Sequence, residues 1–228
     1  STKSARKKLT IFFSDIIGFT TISEQMEAED LSNFLNFYLT NMCDIALRYG
    51  GTIDKFIGDS LMIFFGDPET KGAKEDAAAC CDMALEMLAF LESNQQHFQE
   101  TYNFPEKLEV RVGIHNGLCN VGNFGSAQRL DYTAIGRAVN VASRLEQAAP
   151  KNSILVSSTV RNLIKNKFET SSPIEVKAKG IDKPIASYVL TKITSESKKV
   201  TKEIDGFKLE YDPQKIDRET LLKIIEEL

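Results

Sequence analysis

Short apolar runs alternate with stretches of helical spacing along the 228-residue chain. The run LTIFFSDI at Leu9–Ile16 is rich in β-branched and aromatic residues and ends in an isoleucine preceded by an acid, which is typical of a buried strand. Apolar residues from Leu31 to Tyr49 recur every three or four positions and predict a long amphipathic helix. Further strands are predicted at Thr52–Ile57, Ser60–Phe65, Leu108–Ile114, Ile154–Ser157, Ile174–Lys179 and Ala186–Leu190, and further helices from a capping box at Thr21-Ile22-Ser23-Glu24, at Ala73–His97, at Arg137–Ala149 and at Val160–Ile164.

The order of these elements is β-α-β-β-α-β with additions, which predicts an α+β fold built on a ferredoxin-like split βαβ sheet. After Leu190 the composition changes, and the polar stretch Thr191–Lys202 is typical of a linker. We therefore expect a main domain at residues 1–190 and an extension of unknown role at residues 191–228. The extension is expected to contain a strand at Phe207–Tyr211 and a last helix capped by Asp217.

Composition and charge exclude several classes of function. Lysine and arginine number 28 against 32 aspartates and glutamates, giving a net charge of −4, so nucleic acid is not expected as a partner. The four cysteines include no C-x-x-C pair and the chain has two histidines, which makes a zinc site improbable and fits a reduced, cytoplasmic protein. No apolar stretch approaches the roughly 20 residues that span a bilayer. The first residues resemble a cut before a strand, so we expect an upstream regulatory domain that could anchor a longer protein in a membrane.

Two acids occupy positions that suit metal binding. Asp15 stands at the end of the first predicted strand, and Asp59 stands at the tip of the tight hairpin between the next two strands. Two carboxylates with few other protein ligands suit Mg²⁺, which keeps water and takes phosphates as further ligands. The turn Gly18-Phe19-Thr20 precedes a helix and could direct backbone N–H groups at a phosphate. Each acid taken alone is more often a capping or turn residue than a metal ligand.

Four segments of the sequence favour the metal-binding interpretation of the two acids. Together, and in the same order along the chain, they resemble the motifs of class III adenylyl and guanylyl cyclases. The resemblance covers about Lys7 to Leu190 and implies a catalytic domain that makes a 3′,5′-cyclic nucleotide and pyrophosphate from a nucleoside triphosphate. The segments are FSDIIGFT at 13–20, KFIGDSLM at 55–62, RVGIHNG at 111–117 and IGRAVNVASR at 135–144.

The resemblance also implies roles for individual residues. Asp15 and Asp59, with the carbonyl of Ile16, would bind two divalent cations, Mg²⁺ or Mn²⁺, one assisting the ribose 3′-hydroxyl and the other holding the triphosphate. Asn140 would orient the ribose, and Arg144 would stabilise negative charge at the α-phosphate in the transition state. Phosphate contacts are expected from Gly18, Phe19, Thr20, Arg111 and Lys179, with Lys177 as an alternative to Lys179.

Two further positions bear on the base. Lys55 matches the lysine that adenylyl cyclases use for adenine, where guanylyl cyclases usually carry glutamate, and a lysine donor suits the N1 acceptor of adenine. Thr133 stands where many adenylyl cyclases have aspartate, and it resembles a bacterial subgroup of which some members respond to bicarbonate. The substrate expected is therefore ATP, with GTP as the alternative, and a bicarbonate response is a hypothesis only.

In this family each active site lies between two catalytic domains, and this chain carries both sets of residues. The resemblance therefore implies a homodimer with two equivalent shared sites. A catalytically inactive module for nucleotide binding or dimerisation is the alternative from another class. A diguanylate cyclase is disfavoured, since its Gly-Gly-acid-acid-Phe signature is absent from the sequence.

Overall fold

A nine-stranded mixed sheet forms the centre of the fold in a computed structural model that describes residues 4–126, 128–176, 184–192, 200–204 and 207–211. The strand order is β2-β3-β1-β4-β6-β9-β7, with β5 pairing to β4 and β8 to β9. The strands are β1 (Ala5–Ile16), β2 (Thr52–Ile57), β3 (Ser60–Phe65), β4 (Val110–Gly125), β5 (Leu130–Ile135), β6 (Ser153–Ser157), β7 (Phe168–Thr170), β8 (Ile174–Val176) and β9 (Ile185–Lys192). The helices are α1 (Phe19–Gln25), α2 (Ala28–Arg48), α3 (Ala73–Ser93), α4 (Gln95–Tyr102), α5 (Arg137–Ala148) and α6 (Ser158–Ile164). The predicted α+β class is confirmed.

Both faces of the central strands are buried, which explains why β1 is an almost continuous apolar run. On one face, Phe12 and Ile16 belong to the large core that also includes residues of α2, α3 and α4. On the other face, Leu9 and Ile11 belong to a smaller core with Ala138 and Ala142 of α5. Because side chains alternate along a strand, Asp15 lies on the α5 face, following Leu9, Ile11 and Phe13.

Helix α5 approaches β4 closely at Gly113. A Cβ atom on Gly113 would lie 2.5 Å from the carbonyl oxygen of Ala142 and closer still to the backbone nitrogen of Glu146. The absence of a side chain at this one position therefore sets the depth of α5 against the sheet. The result is that the last turns of α5 lie directly over the strand that carries Arg111.

Several predicted boundaries are wrong for identifiable physical reasons. Helix α1 begins at Phe19, after Gly18 in a left-handed conformation with φ 71°, so the predicted capping box lies inside the helix and no side chain of the described residues caps its start. The helix predicted at 73–97 is two helices, separated at Asn94, whose side chain donates to the Phe90 carbonyl in competition with the helix backbone.

Other differences concern strands. The strand predicted at Leu108–Ile114 and its glycine-rich continuation form one long strand, β4, and the polar strand β5 was not predicted. The ends of the predicted linker Thr191–Lys202 lie in β9 and in a further strand, β10 (Val200–Ile204). The strand predicted at Phe207–Tyr211 is present as β11 and pairs with β10, whereas the helix predicted from Asp217 lies outside the described residues.

The chain divides into two compact units, Ser1–Thr191 and Lys192–Leu228. The first holds the large sheet and the second holds the β10–β11 hairpin. Among the described residues, no helix has the length and apolar character needed to cross a bilayer. Cys80 and Cys81 are fully buried in α3, as their helical pattern predicts, and all four cysteines are free thiols.

Replacing Gly113 with alanine is expected to destabilise the protein by about 2–3 kcal/mol, because α5 must move away from β4 to admit the methyl group. Urea unfolding followed by circular dichroism measures the loss. Gly50→Ala is the control, since φ is +82° there but nothing lies within 4 Å, so only backbone strain of about 1 kcal/mol is expected. Equal losses in the two variants would contradict the close-packing explanation.

Candidate active site

Asp15 and Arg111 form the centre of the candidate site. They are directly opposite each other in the antiparallel pairing of β1 with β4, so both side chains lie on the α5 face. Nε of Arg111 donates to Asp15 Oδ1 at 3.2 Å and Nη2 donates to Asp15 Oδ2 at 2.9 Å, which is a two-pronged ion pair. The same guanidinium donates through Nη1 to the carbonyl of Gln147 at 3.1 Å and thereby ties β1, β4 and α5 together.

Asp59 reaches this centre from the β2–β3 hairpin. Gly58 turns the chain there with φ +63°, and Oδ2 of Asp59 accepts a hydrogen bond from the backbone nitrogen of Ile16 at 2.6 Å. Burial raises the pKa of Asp59, and the negative charge of Asp15 raises it further, while the Ile16 N–H acts in the opposite direction. The structure therefore brings Asp15, Ile16 and Asp59 together at one strand end.

Glu146 is a third acid at this centre, and it was missed in the sequence. Its side chain is buried, and Oε1 lies 3.5 Å from Nε of Arg111 without a hydrogen-bond partner in the described part of the chain. Burial, a hydrogen bond with Asp15 and the negative charge of Asp15 raise the pKa of Glu146 to about 8. A signal existed, because Glu146 follows Ala142 by four positions in the buried stripe of α5, where an acid is unexpected.

This arrangement fits a divalent cation. Three carboxyl groups face one guanidinium, and burial disfavours the charge of Asp59. Among the described residues, a buried oxygen of Glu146 has no hydrogen bond. No group of three or more histidine, cysteine or acidic side chains in the described residues has the geometry of a complete metal cage. Two carboxylates suffice for Mg²⁺, since that ion retains water and takes phosphate oxygens as ligands.

The phosphate candidates fall into three groups by their position in the structure. Gly18 ends the turn after β1, and Phe19 and Thr20 form the first turn of α1, immediately beyond Asp15 and Ile16. Arg111 is already in the centre as the partner of Asp15. Lys179 and its alternative Lys177 lie outside the described residues.

Asn140 and Arg144 lie one turn apart on α5, so they share one face of the helix. Asn140 is exposed and Arg144 is half-buried. Nη1 of Arg144 donates to Oε1 of Gln147 at 2.9 Å. Within the described residues, neither Asn140 nor Arg144 forms a hydrogen bond or ion pair with Asp15 or Asp59. Within one protomer, these two side chains are therefore not part of the carboxylate centre.

Lys55 and Thr133 both contact the carboxylate of Asp54, which, like Glu146, was not predicted from the sequence. The side chain of Asp54 is fully buried, and its carboxylate accepts hydrogen bonds from the Thr133 hydroxyl at 2.7 and 2.9 Å. The backbone nitrogen of Ala134 donates to it at 2.9 Å, and Nζ of Lys55 lies 3.3 Å away. The two candidate base-contacting residues are thus held on one carboxylate, although they come from strands 78 positions apart (133 − 55 = 78).

Comparison with known proteins identifies the family. Residues 2–192 match the model of the adenylate and guanylate cyclase catalytic domain, so the chain belongs to that family. An adenylate cyclase of Anabaena cylindrica is 36% identical over 190 residues, which cover 81% of this chain and 37% of the relative. The chain thus spans little more than a third of that relative's length. Membership implies the use of divalent metal, which the carboxylate centre fits.

Two solved structures are also similar. The crystal structure of the adenylyl cyclase CyaB from P. aeruginosa superimposes with a TM-score of 0.80 at 47% identity and covers 83% of this chain and 96% of that one. The guanylyl cyclase Cya2 superimposes with a TM-score of 0.79 at 30% identity and covers 86% of this chain and 97% of that one. Fold likeness alone therefore does not distinguish the two activities.

The raised pKa of Glu146 predicts a pH dependence of stability in the metal-free protein. At pH values between the ordinary pKa of 4.5 and the raised pKa of about 8, the Glu146 carboxyl is ionised in the unfolded chain but still protonated in the folded one. The free energy of unfolding should therefore fall as pH rises through this range, by at most about 1.4 kcal/mol per pH unit from this group. The Glu146→Gln variant should lack this contribution to the fall in unfolding free energy with rising pH. Urea unfolding at several pH values measures it.

The matched control is Glu169→Gln, which removes an exposed carboxyl on β7 and should follow the wild-type pH profile. If the profile of Glu146→Gln ran parallel to that of the wild type, the protonation of Glu146 in the folded state would be contradicted.

Proposed function

We propose that this chain is an adenylyl cyclase catalytic domain that converts ATP to 3′,5′-cyclic AMP and pyrophosphate. The observation that carries the proposal is the meeting of Lys55 and Thr133 at Asp54, because this pair suits adenine. The ammonium of Lys55 donates, which suits the N1 acceptor of adenine and opposes the N1–H of guanine. The hydroxyl of Thr133 can accept from the exocyclic amino group of adenine.

The carboxylate centre supports the catalytic half of the proposal. Asp15, Asp59 and the carbonyl of Ile16 would hold two divalent cations, Mg²⁺ or Mn²⁺. When bound, such ions neutralise triphosphate charge and lower the pKa of a coordinated hydroxyl. Arg111 stands beside them with a planar fork that matches phosphate oxygens as well as the carboxylate it now binds.

The proposed reaction is an in-line displacement at the α-phosphorus. The ribose 3′-oxygen forms a bond to that phosphorus, the bond from phosphorus to the β-phosphate oxygen breaks, and the hydroxyl proton passes to solvent or to a phosphate oxygen. Asn140 would orient the ribose, and Arg144 would stabilise the charge that grows on the α-phosphate oxygens. Gly18, Phe19, Thr20, Arg111 and Lys179 would position the triphosphate.

The placement of α5 supports a homodimer with two shared sites, which we propose for this chain. Among the described residues, Asn140 and Arg144 form no hydrogen bond or ion pair with the carboxylate centre of their own protomer, so a second copy can offer them to it. Strand β5 pairs with β4 and contacts β2, and these strands carry a concentration of exposed apolar side chains that suits a partner. These side chains are Phe56, Ile57, Leu118, Leu130, Tyr132 and Ile135. We also propose a cytoplasmic location for this catalytic domain, which the use of ATP as substrate would support.

Guanylyl cyclase activity is the alternative, favoured by the similarity to Cya2. Purified protein with Mg²⁺ or Mn²⁺ is expected to make cyclic AMP from ATP at least about tenfold faster than cyclic GMP from GTP. The reason is that the proposed donor at Lys55 and acceptor at Thr133 match adenine and oppose guanine. Chromatographic detection of both products, at several protein concentrations, measures this, and chelation of the metal should abolish turnover.

Comparable or faster turnover of GTP would overturn the choice of ATP. Absence of any cyclic product with either metal, in protein shown to be folded, would favour an inactive nucleotide-binding module.

Mixing two inactive variants tests the shared sites. Asp15→Ala and Arg144→Ala chains are each expected to lose nearly all activity, because each removes one half of both sites. An equimolar mixture should recover up to about a quarter of wild-type activity, since half of the dimers are mixed and each has one intact site. The controls are each variant alone at the same total concentration, and failure of the mixture to recover activity would contradict shared sites.

A further inference from the structure

We propose that Asp54 is a positioning residue that sets the base preference of this enzyme by fixing the direction of the Thr133 hydrogen bond. The proposal rests on the proposed cyclase function and adds a residue that contacts no substrate itself. In it, Asp54 takes the only proton of the Thr133 hydroxyl, so that the hydroxyl offers the base its lone pairs alone.

The surroundings of Asp54 consist of hydrogen-bond donors. Its side chain is fully buried, and three donors point at it: the Thr133 hydroxyl, the Ala134 backbone N–H and the Lys55 ammonium. An ionised carboxylate has no proton to give and can only accept. Because a hydroxyl has one proton, a threonine that donates to such a carboxylate must present an acceptor on its other side.

This polarity distinguishes the two purines. Adenine carries an amino group at C6, which donates, whereas guanine carries a carbonyl oxygen there, which accepts. An acceptor fixed at Thr133 therefore binds adenine and faces guanine with two opposed lone pairs. The ion pair between Asp54 and Lys55, at 3.3 Å, holds the Lys55 ammonium, which would donate to N1 of adenine, beside the Thr133 acceptor. One buried carboxylate thus orients both proposed base contacts.

The position of Asp54 in β2 supports a dedicated role. The pairing of β2 with β3 shifts register between Ile53 and Lys55, so Asp54 lies in an irregularity of the ladder. Such bulges re-aim a side chain away from the regular alternation of the strand. Here the irregularity turns a carboxylate toward β5, a strand that is not a neighbour of β2 in the sheet. A neutral side chain could join the strands without the desolvation cost of a buried charge.

The test is the base preference of Asp54→Asn. The amide is nearly the same size, but its NH₂ group can donate to Thr133 and free the hydroxyl to turn its proton toward the base. We expect the ratio of kcat/KM for ATP to that for GTP to fall about tenfold, with a rise in the GTP value. A merely structural role would lower both values together and leave their ratio unchanged.

A double-mutant cycle shows whether Asp54 acts through Thr133. Thr133→Val should lower the ATP to GTP ratio by itself, and Asp54→Asn in that background should lower it no further. Asp44→Asn, an exposed acid on α2, is the matched control for loss of one negative charge and should retain the wild-type ratio. An additional full loss in the double variant would overturn action through Thr133.

If Asp54→Asn does not fold, the pair Thr133→Ser and Thr133→Val carries the test. Serine keeps the hydroxyl and should keep the ATP preference, whereas valine should lose it. An unchanged ratio in Thr133→Val, or in a folded Asp54→Asn, would overturn the inference. Failure of the proposed function would be seen separately, as a wild-type protein that makes no cyclic AMP.

Discussion

The close contact of α5 with Gly113 is the constraint on which the rest of the site depends. Since no Cβ intervenes, the helix backbone rests directly on β4, and Glu146 reaches the pair formed by Asp15 and Arg111. The same contact fixes which residues of α5 face inward and which face solvent. Asn140 and Arg144 therefore stand on the accessible side of a helix whose depth and rotation are already determined.

The close packing of α5 adds Glu146 to two acids that the sheet already brings together, Asp15 and Asp59. Asp59 and Glu146 both have raised pKa values because burial and the neighbouring Asp15 disfavour their charges. Arg111 compensates only part of that negative charge. A site in this condition is one that a divalent cation and a phosphate group can relieve, and an excess of buried charge is a common mark of functional centres.

Sequence reasoning found the parts of the site that strand and turn positions define. Asp15 and Asp59 could be predicted to converge because one ends a strand and the other stands at the tip of a hairpin. Glu146 and Asp54 were missed because their importance comes from burial between elements distant in the chain, which periodicity does not show. Strand β5 was missed for a related reason, since its polar residues form a strand only against β4.

The hydrogen bonds from β5 to Asp54 of β2 have a consequence for the shape of the sheet. Strands β3, β1 and β4 separate β2 from β5 in the sheet, yet the buried Asp54 carboxylate on β2 bonds to β5. The sheet must therefore curve enough to bring β2 and β5 into contact. The same carboxylate holds Lys55 and Thr133, the two residues that we propose to contact the base. Under that proposal, a change of base preference at this carboxylate would also weaken the contact that joins β2 to β5, so the stability of the fold and the choice of substrate would change together.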